Sequence, residues 1–355
     1  MLPRIKEQKN FLLVMLLVLV FISCLSCLPD KTSAQVYSYF LTMQIDEQLL
    51  NQIPAAEQMI LLKQAQANKF STAQIEAYIK GMINHPPQDI SQKYVYNGPD
   101  LISAPYYYKH HSYYQADDKP VKNYQTKSNS SDQSGVYWIV KSKNGFIATS
   151  AWVELPDIAT IHHNDRPYMF FAAHTTNAKL IGDYGLVYVP TEKAWQGFTN
   201  VQRWNGSSYS VIDQSYGDFI PADIKQLYIS LSYDAGHMRL RILDAEDFSK
   251  VYFDNMVKTD NLIDNRGINL QFTREITMAQ HLTTPLLDIN TESVFSNASF
   301  HDCYLYTPEG FLKWSPYETT AAFVQAPFPN QFNTVKLEEY QPWNKEVVSI
   351  SFAHR

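Results

Sequence analysis

The chain has 355 residues and a net charge of −6, an acidic balance that argues against a nucleic-acid partner, which needs a basic surface. Of its three cysteines, Cys24 and Cys27 lie near the N-terminus, which leaves Cys303 without an internal disulfide partner, so the fold must be held by its core. The 24 tyrosines and 19 phenylalanines against only 12 glycines favour strands.

Arg4, Lys6 and Lys9 precede an unbroken apolar run from Phe11 to Ile22, the arrangement of a secretory signal. Thr32-Ser33-Ala34 offers small residues for a cut before Gln35, and Pro29 breaks the apolar helix ahead of it. Two rivals stay open. Phe21-Ile22-Ser23-Cys24 and Cys24-Leu25-Ser26-Cys27 each resemble a bacterial lipobox lacking its usual leucine, which would make the chain a lipoprotein. Counted through Leu28, the apolar run is about 18 residues, near the minimum for an uncleaved membrane anchor. All three place the rest of the chain outside the cytoplasm, with membrane contact only through an N-terminal anchor or lipid. A lone cysteine suits a Gram-positive-like extracellular setting, and the sequons at Asn129, Asn205 and Asn297 then read as chance.

Residues 35–85 read as a helical hairpin. Pro54 opens an alanine- and glutamine-rich helix running to about Asn68. Ser71-Thr72-Ala73-Gln74 is a capping box for a second helix with Ile75, Tyr78, Ile79 and Met82 on one face, closed by Gly81 and His85-Pro86-Pro87. Docking on the main domain is the plainer role for the pair, and an interaction arm is the alternative. Residues 86–134 are polar and broken by prolines, and Lys127 to Ser134 reads as a linker. Within them Tyr106, Tyr107, Tyr108, Tyr113 and Tyr114 surround His110 and His111, a run that packs an irregular segment onto a sheet or stacks on sugars.

From Gly135 the period becomes two. Ile147, Thr149, Ala151 and Val153 alternate with their neighbours, and Tyr168 to Ala173 and Gly185 to Val189 are short apolar strands. Leu227 to Tyr233 and Met238 to Ile242 flank the turn Asp234-Ala235-Gly236, and Ile268, Leu270 and Phe272 follow. The chain ends on Phe332 to Tyr340 and Val347 to Phe352. About a dozen strands without a helix among them predict a mainly β domain over 135–355, a two-sheet antiparallel jelly-roll sandwich behind a short N-terminal helical hairpin.

Gly182-Asp183-Tyr184-Gly185-Leu186-Val187-Tyr188, with Trp195, Phe198 and the hairpin Tyr228 to Leu243, resembles strands of the concanavalin A-like lectin and glucanase sandwiches. Gly145-Phe146 with Ala151-Trp152-Val153-Glu154-Leu155-Pro156 resembles the YrpD-like secreted proteins of bacilli, a family without an established function. The superfamily resemblance implies a glycan-related role by analogy. It would also allow the laminarinase arrangement Glu-x-Asp-x-x-Glu on one strand, which this sequence does not contain; Asp244, Glu246 and Asp247 read as a turn.

The polar strand faces carry the remaining signal. His237, Arg239 and Arg241 share one face of a strand, and Asn269, Gln271, Thr273 and Glu275 share one face of another. Were the two strands neighbours, Arg239, Arg241, Gln271 and Glu275 would form a hydrogen-bonding surface able to bind an acidic sugar or orient a carboxylate, with Trp195 and Trp204 stacking on the sugar from loops. The competing account is an ordinary solvent-facing sheet with cross-strand ion pairs. His162-His163 and His110-His111 lack metal-ligand spacing. Asp260 and Asp264 could take calcium but lack the EF-hand pattern, so loop solvation accounts for them better. No nucleophile elbow, phosphate loop or dinucleotide motif occurs and no cofactor is called for. A polysaccharide or cell-surface glycan is therefore the expected partner, bound without catalysis. A secreted glycosidase or lyase, or a structural partner-binding protein, is the alternative.

Overall fold

The computed structural model describes residues 38–80, 125–128, 134–280 and 287–353, apart from short gaps within them. The expected signal segment, the tyrosine and histidine run at 106–114, Tyr78, Gly81 and Met82 lie outside the described residues. No helix among the described residues is long and apolar enough to cross a membrane.

Helix α1 (Ala55–Asn68) starts directly after Pro54. It is followed by β1 (Gln125–Ser128), β2 (Gly135–Asn144), β3 (Ala148–Glu154), β4 (Asp157–Thr160), β5 (Asp165–Thr175), β6 (Leu180–Val189), β7 (Ala194–Trp204), β8 (Tyr209–Ile220) and β9 (Gln226–Asp234). Then come β10 (His237–Asp244), β11 (Val251–Lys258), β12 (Leu270–Gln280), β13 (Val294–Thr307), β14 (Gly310–Lys313), β15 (Thr319–Ala326), β16 (Val335–Gln341) and β17 (Lys345–Ser351). They build two antiparallel sheets packed as a sandwich. The first has the order β1-β15-β2-β12-β5-β6-β7-β8, and the second β11-β10-β9-β3-β13-β17-β16, with β4 and β14 also on β13. The start of the stretch read as a linker is itself strand β1, paired in parallel to β15.

Alternation explains both layers. On β12, Leu270, Phe272, Ile276 and Met278 enter the core between the sheets, where they meet Ile229, Leu231, Leu240 and Phe300 from the second sheet. Arg274 shares that inward face. It is fully buried, and its Nε and Nη2 donate to the Glu346 carboxylate on β17 at 2.9 and 3.2 Å, while Trp138 Nε1 donates to the same carboxylate at 3.1 Å. The guanidinium also stacks on Trp314, 4.5 Å from the ring centroid. This cross-sheet ion pair raises the Arg274 pKa despite burial, while burial pushes the neighbouring Cys303 thiol up to about 12, leaving it an inert core group.

Helix α1 lies on the outer face of the second sheet, against β9, β13 and β14. Met59, Ile60, Leu61 and Leu62 form one buried cluster with Tyr228, Leu243, Phe248 and Tyr306. Ile75 and Ile79 join it, as their helical spacing implied. Lys63 reaches across the same face, with Nζ 3.9 Å from the Tyr304 ring centroid, and burial lowers its pKa. The helical segment and the sandwich thus share a core.

Candidate functional site

The residues proposed as one surface are divided between the two sheets. Arg239 and Arg241 stand on β10, on the outer face of the second sheet. Asp254 on β11 takes a bidentate contact from Arg239 at 2.7 and 2.6 Å and a third from Arg241 Nε at 3.2 Å. Arg241 is 0% exposed. The two arginines thus share one cross-strand aspartate, and both are buried rather than solvent-facing. Gln271 and Glu275 stand on β12, in the first sheet.

The tryptophans are separated too, and neither starts from the loop expected for it. Trp195 sits on β7, 6% exposed, with its ring in the core; it also lines a cavity of about 330 Å³ with Tyr188, Leu155 and Ile220. Trp204 ends β7, is 40% exposed and packs edge-on against Tyr209, ring centroids 5.1 Å apart. Periodicity had assigned β10 and β12 their two faces but could not say which strands were neighbours.

The outer face of the first sheet does bring chemistry together. Strand pairing sets Lys141 beside Thr273, Thr273 beside Ala172, Ala172 beside Asp183, and Asp183 beside Asn200. The adjacent row runs Ile139, Glu275, Phe170, Gly185, Phe198, Tyr216. A polar band therefore crosses the sheet alongside a band of rings. Phe170 and Phe198 pack edge-to-face at 6.0 Å, with Tyr168 against both. Gly185 permits the close approach of β6 to β5 here, since a Cβ would lie 2.4 Å from Phe170 Cα.

At the margin, His174 Nε2 donates to Gln271 Oε1 at 2.7 Å and Gln271 Nε2 donates to Ser142 O at 2.7 Å. The register of β2 against β12 shifts between Gln271 and Thr273, and such irregularities re-aim side chains. Lys141 Nζ lies 5.6 Å from the Phe323 ring centroid on the same face.

Asp183 and Glu275 give the band its electrostatic character. Glu275 is 1% exposed and accepts from Thr273 Oγ1 at 2.6 Å. Asp183 is partly buried and accepts no hydrogen bond from any described residue. Burial first, and the Glu275 charge second, raise its carboxyl well above the ordinary carboxylate range. A buried acid and a partly buried one on the same face have unlike surroundings, and perturbed acids of this kind cluster at functional sites. Asp183 had one signal in the sequence: a lone carboxylate in mid-strand between Gly182 and Gly185. By contrast, Asp213 also has a pKa raised by burial but is held by Thr199, Ser215 and Asn255 in a closed structural cluster.

Among the described residues no three His, Cys, Asp or Glu side chains converge to hold a metal ion. Asp260 is engaged by Arg203 at 2.6 Å and Lys258 at 3.4 Å.

No protein-family model matches the chain, and no curated protein matches it. Among solved structures it is similar to scytalido-glutamic peptidase with a peptide-based transition-state analogue, at 9% identity and TM-score 0.41, over 61% of this chain and 98% of that one. It is also similar to a glycoside hydrolase family 16 endo-glucanase from Bacteroides ovatus, at 12% identity and TM-score 0.28, over 49% of this chain and 87% of that one. A mixed-linkage glucan enzyme of the same organism stands at 14% identity and TM-score 0.27, over 43% and 70%. Likenesses this distant carry no argument about what this chain does.

Proposed function

We propose that the protein is an exported β-sandwich that binds a neutral glycan on the outer face of its first sheet. One observation carries the reading: the band of Lys141, Asp183, Asn200 and Gln214 runs beside the rings of Phe170, Phe198 and Tyr216. A sugar offers both a hydroxyl edge and an apolar ring face, so such a pairing of bands suits it. With Glu275 against one lysine and Asp183 raised toward its neutral form, the band has no excess of positive charge to draw an acidic sugar, so a neutral one replaces the acidic ligand expected from the arginines. Export rests on the basic, apolar N-terminal segment, and a polysaccharide or cell-surface glycan is the matching partner.

Calorimetric titration with tetrasaccharides of glucose, mannose, galactose and xylose tests it. At least one should bind, and Asn200→Ala should weaken that binding by roughly 0.5–1.5 kcal/mol for a lost hydrogen bond. Binding that survives Asn200→Ala and Gln214→Ala but is lost with Arg239→Ala would move the site to the other sheet and end this reading.

A further inference from the structure

We propose that the protein binds a small aromatic carboxylate in the cavity at one end of the sandwich, with its ring on Tyr188 and Trp195 and its carboxylate toward Lys193 and Lys225. The cavity lies apart from the outer face proposed for the glycan, so either site can exist without the other.

Strand pairing builds the floor. Tyr188 on β6 stands opposite Trp195 on β7, and Trp195 stands opposite Ile220 on β8. All three belong to the core between the sheets. The Tyr188 and Trp195 rings meet edge to face, with centroids 5.5 Å apart. The second sheet supplies the opposite wall at Leu155 and Pro156, just past the end of β3, where Leu155 N donates to Lys225 O at 2.8 Å. Pro221 and Ile224 close it from the connection between β8 and β9, which crosses from one sheet to the other. Both sheets therefore fix the walls through their own backbones, as in a pre-formed ligand site.

Size bounds the ligand. The cavity holds about 330 Å³. Ligand pockets begin at roughly 300 Å³, and an apolar cavity of roughly 150 Å³ takes a benzene ring. There is room for one or two rings and a small polar group.

Two donors point to what that group is. Tyr188 is 7% exposed and Trp195 is 6% exposed, and both line the cavity. Neither Tyr188 Oη nor Trp195 Nε1 makes a hydrogen bond to a described residue. Buried tyrosine and tryptophan usually find a partner for their polar ends, and a ligand oxygen would supply one. Burial raises the Tyr188 pKa, so its hydroxyl stays a donor across neutral pH.

Charge completes the selection. Lys193, on the β6–β7 turn, and Lys225, beside β9, are exposed at the rim. The one acid in the lining, Asp157, already accepts from Asn297 Nδ2 at 3.0 Å. Glu192 and Asp223 are exposed and outside the lining. Two cations and two N–H or O–H donors against one engaged acid favour an anion rich in acceptors, while the rings and branched aliphatic walls favour a flat apolar body.

Calorimetric titration of the full chain with 2-naphthoate tests this, beside 2-naphthylmethanol, which keeps the rings and loses the charge. Nitrogen-15 NMR of the indole Nε1–H signals runs in parallel, with the Trp195 signal identified by its loss in Trp195→Phe. The acid should bind and move the Trp195 signal, and the alcohol should bind about 3–10-fold more weakly for want of the ion pairs. Lys193→Gln with Lys225→Gln, both at exposed positions that leave the fold intact, should weaken the acid by a similar factor and leave the alcohol unchanged. Tyr188→Phe removes one oxygen and should weaken the acid about 2–10-fold. No binding of 2-naphthoate at millimolar concentration, or binding that leaves the Trp195 signal unmoved, would overturn the proposal. Equal affinity for acid and alcohol, unaltered by the lysine substitutions, would overturn the choice of an anion.

Discussion

Arg274 and Glu275 are consecutive residues on one strand, both about 1% exposed, yet their surroundings are opposite. Arg274 points between the sheets, where Glu346 neutralises it and Trp314 covers its face. Glu275 points outward, and the charge it influences across β5 is another carboxyl, Asp183. The first charge joins two sheets. The second adds to burial in raising a neighbour's pKa. Burial alone therefore says little about what a charged residue is for; the sign of its partner decides.

That contrast can be broken most forcefully on the inner side. Glu346→Gln should destabilise the fold by about 3–5 kcal/mol, because Arg274 would remain buried without its counter-charge, as a urea midpoint would record. An Arg274→Met, Glu346→Leu double variant should recover most of that loss. If Glu346→Gln unfolds no more easily than the wild type, the pair does not join the sheets.

The helical face supplies the next test. Leu61 is fully buried in the cluster that α1 shares with Tyr228 and Tyr306, so Leu61→Ala should cost about 2–5 kcal/mol. Helix-sensitive circular dichroism and tryptophan fluorescence should then shift together. Separate transitions would mean that the helices and the sandwich unfold as independent units.

Smaller effects sharpen the outer side. Gly185→Ala would drive a methyl into β5 at Phe170 and should cost about 1–3 kcal/mol by overpacking, weakening glycan binding with it. For Asp183 the sign follows from its raised pKa. Its folded form holds a proton that the unfolded form releases near the ordinary value of 3.8, so stability falls as pH rises from there through the folded-state value. Asp183→Asn should accordingly be more stable than wild type at neutral pH, with the difference closing in acid. An equal difference at all pH values would show that the carboxyl is not held protonated.

Much of the architecture was legible because alternation is a direct print of a half-buried sheet. The hairpin of β9 and β10 stood out through Asp234-Ala235-Gly236, where Ala235 and Gly236 take φ of 45° and 84°. The strand β7 was not, because Gln196, Thr199, Asn200 and Gln202 are buried on it and erase the apolar period, so Trp195 and Trp204 looked like loop residues. Within the candidate site, Gln271 and Glu275 were found from their shared face. Asp183 was passed over as part of a family-like strand, since its importance appears only when β5 and β6 bring it opposite Ala172 and near Glu275. Strand order across the sheet, which decides this, depends on contacts far apart in the chain.

The most direct test of the account is which outer face a glycan touches. Side-chain amide NMR signals of Asn200, Gln202, Gln214 and Gln271 report on the first sheet, and the guanidinium signals of Arg239 and Arg241 report on the second. Titration with the best-binding neutral tetrasaccharide should shift the four amides and leave both arginines unmoved. Shifts confined to the arginines, with the four amides unchanged at saturation, would contradict the account.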